Sequence, residues 1–176
     1  MDLSPDYVAV ELPAGLEKIY QRAVQRLPRL SYITRGELQE PGEHGVSLWK
    51  VEPTDPFCEA VRAALELEIP IRAVDSLEMD YPIPDPYAVL SMGLEAYYKS
   101  CLEAIGYDPD DPRNQLDERR EQLMAGRLHR LGRQGRVLFV GGLKHIEPLR
   151  VLLSEEPDPE FQDESGVDSS FFQIFH

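Results

Sequence analysis

The chain has 176 residues and a formal charge of −14, from 18 basic and 32 acidic side chains. That balance argues against a nucleic-acid backbone or an anionic membrane surface as partner, since both select basic patches. The length allows one ordinary domain with its own core. No apolar run approaches the roughly 20 residues that span a bilayer. The start, Met1 to Pro5, lacks the basic and apolar regions of a signal peptide, so a cytoplasmic location is expected. Cys58 and Cys101 match no zinc spacing and are expected to be free thiols in a reducing compartment.

Tyr7–Leu12 is a short apolar run and predicts a buried strand. Leu16, Ile19, Tyr20, Ala23, Val24 and Leu27 then repeat at helical spacing, and Pro28 ends that helix. Leu30–Ile33 predicts a short strand, 36–45 a polar loop, and Val46–Val51 a further strand. Asp55 followed by Pro56 is a helix start, with Asp as N-cap and Pro at the first helical position. Ile71–Asp75 predicts another strand, and Asp80–Asp85 a proline-rich connection. A long helix is expected from Asp85 to Ile105, and another from Gln115 to Leu131 with Gly132 as its stop. Val137–Val140 predicts a buried strand, followed by Gly141, Gly142 and His145, with a last helix from Pro148 to Leu153. Strands alternating with helices indicate an α/β fold, a mainly parallel sheet flanked by helices. Residues 1–153 are expected to form this single domain and 154–176 an acidic tail with an apolar end, Phe171–Phe175.

Three predicted strands end in ionisable groups: Glu11, Asp75 and His145. If the strands are parallel, the three lie along one edge of the sheet, where ligand sites of open α/β folds collect. Carboxylates beside an imidazole suit divalent-metal binding or general acid–base catalysis. Gly141 and Gly142 would let a ligand approach the backbone closely, or serve only the turn. Arg120 falls in the middle of the apolar face formed by Leu116, Leu123, Met124, Leu128 and Leu131. A core-facing guanidinium needs a carboxylate, and Glu11 and Asp75 are the natural partners. The pairing would be either a staple between sheet and helix or part of a substrate site. Arg127 lies near the same face and could snorkel to solvent. His44, in the polar loop, could belong to a lid or second ligand. Glu52 could join the edge cluster or cap the helix after it. There is no P-loop, dinucleotide glycine motif, nucleophile elbow or Cys-rich metal motif.

Arg120 with Met124 four residues on, a strand ending in Gly142-Leu-Lys-His145, the strand Val8–Glu11 and the strand Ile71–Asp75 occur in an order that resembles TraB-like domains. That group is related to the Tiki metalloproteases, the ChaN haem-binding lipoproteins and the erythromycin-esterase-like enzymes. The resemblance extends from about Asp6 to Leu153. The family's usual earlier strand with another Gly-x-x-His has no counterpart ahead of Glu11. What the resemblance implies is metal-assisted hydrolysis of a small molecule or peptide. Glu11 would be general base or metal ligand and His145 a metal ligand. Arg120 would anchor a carboxylate or an anionic intermediate. Asp75, Gly141 and Gly142 would complete the ligand site. The alternatives are a non-catalytic haem or small-ligand domain with His145 as the contact, and an assembly domain. In the latter, Phe171–Phe175 would be a sticky end for a second copy or for further domains of the same protein.

Overall fold

A computed structural model describes residues 4–38, 44–76, 93, 95–97, 99–100, 112–155 and 172–175. In chain order these form β1 (Tyr7–Pro13), a 3-10 turn (Ala14–Leu16), α1 (Glu17–Val24), β2 (Ser31–Leu38), β3 (His44–Val51), α2 (Pro56–Glu66) and β4 (Ile71–Asp75). After these come α3 (Pro112–Gly132), β5 (Val137–Val140), α4 (Leu143–Ser154) and β6 (Phe172–Phe175). The fold is α/β. A parallel sheet has the order β4-β1-β5, and a second, antiparallel sheet has the order β3-β2-β6. The expected parallel sheet is therefore matched by an antiparallel one of equal strand number.

The apolar run of β1 follows from its central place. Val8 pairs with Ile71 on one side and Leu138 on the other, so both edges of the strand are hydrogen-bonded, and its two faces pack into separate cores. Val8, Val10 and Leu12 face a core shared with Leu16, Tyr20, Val24, Ile33, Val61 and Phe172. Ala9 faces the opposite core with Val74, Met124, Leu128 and Leu149. α2 starts as its sequence dictates: the Asp55 side chain accepts a hydrogen bond from Cys58 N at 2.8 Å, and Pro56 occupies the first turn. Among the described residues no helix is long and apolar enough to cross a membrane.

Several elements differ from the sequence expectation. α1 stops at Val24, and the segment that follows closes in turns. β2 and β3 reach well into the stretch read as a polar loop. They pair from Ser31–Val51 out to Leu38–His44, and residues 39–43 lie outside the described residues. A half-exposed antiparallel strand tolerates Thr34 and Arg35, which an apolar criterion does not select. α4 begins at Leu143, with Gly142 as N-cap, and carries Pro148 inside the helix rather than at its start. Phe172–Phe175 pairs antiparallel with β2, and the Phe172 ring meets Trp49 edge-on at 5.8 Å. The Asp80–Asp85 connection, most of the helix expected from Asp85 to Ile105, and Cys101 lie outside the described residues. The backbone at 95–97 and 99–100 is helical.

Candidate functional site: a buried ion cluster at the strand ends

β1 and β4 bring Glu11 and Asp75 to the same edge of the parallel sheet. The β1–β4 register runs Val10–Ala73 and then Pro13–Asp75, so β1 carries one extra residue beside Glu11. Such a bulge re-aims a side chain at a strand end. α3 lies across the same sheet face. Asp117, Arg120, Glu121, Met124, Arg127 and Leu128 recur on it at spacings of three and four, which places them on one stripe. The lower part of the stripe packs in the core through Met124 and Leu128. The upper part presents charges to the strand ends.

Arg120 is the hub. Its Nη2 donates to Glu11 Oε1 at 3.0 Å and to Asp75 Oδ2 at 2.7 Å. Its Nε donates to Asp75 Oδ1 at 3.2 Å, and its Nη1 to Asp117 Oδ1 at 2.9 Å. Burial opposes the charge on Arg120, but the hydrogen bonds to Asp75 and the charges of Asp75, Glu11 and Asp117 more than reverse this and raise its pKa. The sequence pairing of Arg120 with Glu11 and Asp75 is thus present, and Asp117 joins it.

The imidazole of His145 forms the second half. Its Nδ1 lies 2.7 Å from Glu121 Oε1, and its Nε2 faces Glu11 Oε1 at 3.4 Å. Burial alone would lower the pKa of His145. The Glu121 hydrogen bond and the Glu11 charge outweigh it and hold the ring above its ordinary value. Glu11 is pushed up by burial, although His145, the Gly142 N–H and Arg120 oppose the shift. Two fixed cations, Arg120 and Lys144, stand against four carboxylates, Glu11, Asp75, Asp117 and Glu121. The Glu121–His145–Glu11 array thus sets a carboxylate against each nitrogen of one imidazole.

Glu11, Asp75, Arg120, Glu121 and His145 are between 0% and 7% exposed. The open side is at Lys144, whose ammonium pairs with Asp117 and lies 3.4 Å from Asn114 Oδ1. The glycines serve the cluster from within. Gly142 N donates to Glu11 Oε2 at 2.5 Å. A Cβ on Gly141 would stand 2.3 Å from the Phe139 ring and 3.0 Å from Glu11 Oε2. The space expected to admit a ligand beside Gly141 and Gly142 is therefore filled by the chain's own carboxylate and ring.

Three further expectations are corrected. Arg127 does not snorkel: it is buried, and its Nη1 donates to Val74 O at 3.1 Å and Asp75 O at 2.7 Å, fixing the end of β4. Glu52 is outside the cluster and pairs with Lys50 at 2.5 Å. His44 opens β3 opposite Leu38 instead of lying in a loop. Glu121, Asp117 and Lys144 escaped the sequence reading. Glu121 had a legible signal, since it sits four residues after Asp117 and seven before Leu128 on the buried stripe.

The residues do not fit a divalent metal at this point. Among the described residues no group of three or more His, Cys, Asp or Glu side chains is arranged to hold one. The carboxylates of Glu11 and Asp75 converge on a guanidinium nitrogen, and His145 is hydrogen-bonded to Glu121. Nor does His145 suit haem, because both ring nitrogens face carboxylates. No family model, curated protein or solved structure matches the chain.

Proposed function

We propose that this chain is a TraB-like α/β domain whose strand-end cluster performs acid–base hydrolysis of a small ester or peptide bond, with no metal ion at its centre. The observation that carries this reading is the Glu121–His145 bond of 2.7 Å, with Nε2 turned towards Glu11. A carboxylate on Nδ1 fixes the orientation and tautomer of an imidazole and leaves Nε2 as the working nitrogen. In this scheme Nε2 takes a proton from the attacking water. Glu11, whose pKa burial raises, returns a proton to the leaving group. Arg120 positions Glu11 and Asp75 and is not an anion anchor, since its hydrogen bonds go to carboxylates of the chain. Burying this many charges is costly, and at the carboxyl edge of a parallel sheet such clusters favour a functional site over a structural one.

The acid excess favours a neutral or cationic small molecule or peptide over nucleic acid. Cys58, a buried thiol pushed up to about 11 by burial, is consistent with a reducing, cytoplasmic location.

The near-complete burial of the cluster favours a second reading, a non-catalytic domain in which the same ions staple α3 and α4 to the sheet. Hydrolysis of a panel of chromogenic esters and aminoacyl anilides separates the two. The enzymatic reading expects turnover that survives a chelator and falls by about 100-fold or more in His145→Gln and in Glu121→Gln. Absence of turnover across the panel, or turnover indifferent to both substitutions, leaves the staple.

A further inference from the structure

We propose that Arg120 is the resident cation of this site. Its guanidinium holds the place between the β1 and β4 carboxylates that a divalent ion would fill, and with the side chain cut back the same place accepts a small free cation. The inference stands apart from the hydrolase proposal, because it concerns what neutralises Glu11 and Asp75 and not what they act on.

Three observations carry it. First, carboxylates from neighbouring strands converge on one nitrogen: Nη2 lies 3.0 Å from Glu11 Oε1 and 2.7 Å from Asp75 Oδ2. Asp75 is held side-on through Nε and Nη2, the fork geometry that a guanidinium matches and an ammonium does not. Second, both carboxylates are anchored independently of Arg120. Glu11 Oε2 accepts from Gly142 N at 2.5 Å, and Asp75 Oδ1 accepts from Ser76 N at 2.7 Å. Arg127 fixes the backbone at Asp75. Removing the guanidinium therefore leaves two positioned carboxylates around a buried gap, with Asp117 at its side. Third, a divalent ion needs these oxygens at roughly 2.0–2.6 Å. It cannot reach that distance while a positive group sits between them.

The test uses the whole chain, with Mn2+ and guanidinium chloride as probes and urea as the control for solvent effects. The wild-type chain is expected to retain no stoichiometric manganese after exposure and desalting. Its Tm is expected to show no rise with either cation. Arg120→Ala is expected to gain about 4 °C in Tm from guanidinium at ten times its Kd, with no gain from equal urea. The gain should vanish when Glu11→Gln is added. One manganese per wild-type chain, lost in Glu11→Gln, would overturn the proposal. So would a folded Arg120→Ala that responds to neither cation. If Arg120→Ala does not fold, the manganese content of the wild-type chain still decides between the outcomes. Hydrolysis plays no part in the readout, so an inactive chain leaves the inference standing.

Discussion

Arg120→Met removes the hub of the cluster and keeps an unbranched, apolar side chain on α3. In the native chain Arg120 neutralises Glu11 at 3.0 Å and Asp75 at 2.7 Å, and these two are 3% and 0% exposed. Breaking a buried ion pair from one side costs about 3–5 kcal/mol, because the remaining charge has neither water nor a partner. For a chain of this size about 1 kcal/mol corresponds to 2–4 °C, so Tm should fall by roughly 6–20 °C. Urea unfolding followed by circular dichroism gives the free energy directly. Arg119→Met is the control: its side chain is exposed, and the loss should stay within about 0.5 kcal/mol. Adding Asp75→Asn to Arg120→Met should restore part of the loss, with a coupling of about 0.5–3 kcal/mol. A loss below about 1 kcal/mol for Arg120→Met, or strict additivity in the double variant, would refute the description of a buried, mutually dependent ion cluster.

Stability should also report the raised pKa of His145. The folded pKa of His145 is raised, so its contribution is full below about pH 6.5 and is lost as pH rises through the folded value. Glu11 is raised too, and its contribution fades in the same direction from about pH 4.5 upward. Wild-type Tm should therefore decline between pH 6 and 9, and His145→Gln should flatten that decline; an unchanged slope would count against the array. Arg127→Met strips the donors from the Val74 and Asp75 carbonyls and should cost about 2–3 kcal/mol in urea unfolding, where an exposed arginine would cost almost nothing. Thr54 is a β-branched residue at φ 80, in the left-handed region that favours glycine. Thr54→Gly should raise stability by about 1 kcal/mol, and a fall in Tm would show that its side chain matters more than its backbone strain.

Much of this site was legible because the residues obey simple geometry. Glu11 and Asp75 each follow a short apolar run, and parallel pairing takes such run-ends to one edge; His145 comes after β5 but reaches the cluster from the first turn of α4 and not from a strand end. Arg120 stands out because a charge in the centre of an apolar helical stripe has to find a partner. Glu121 and Asp117 were hidden by their type: an acidic residue on a helix of an acidic chain looks like a solvated face, and only the shared stripe with Met124 and Leu128 marks it as inward. Gly141 and Gly142 mark the turn, but sequence cannot say whether a ligand or Glu11 fills the space beside them. The second sheet is hard to see in the sequence for a different reason. β2 alternates buried Ile33 with exposed Tyr32 and carries charge beyond it, and pairing with β3 and β6 supplies the order that local composition does not. The helix start at Leu143 was missed because Pro148 looked like a first-turn proline, whereas the N-cap is a glycine with no side chain to announce it.

The proposed chemistry depends on the protonation and orientation of the His145 imidazole. Its most direct test is a 15N-resolved NMR titration of His145 in the wild-type chain and in Glu121→Gln. The expected result is a proton fixed on Nδ1 against Glu121 and a pKa above the ordinary histidine value, which drops when Glu121 loses its charge. A His145 that titrates as a free imidazole, with averaged ring nitrogens and no response to Glu121→Gln, would contradict it.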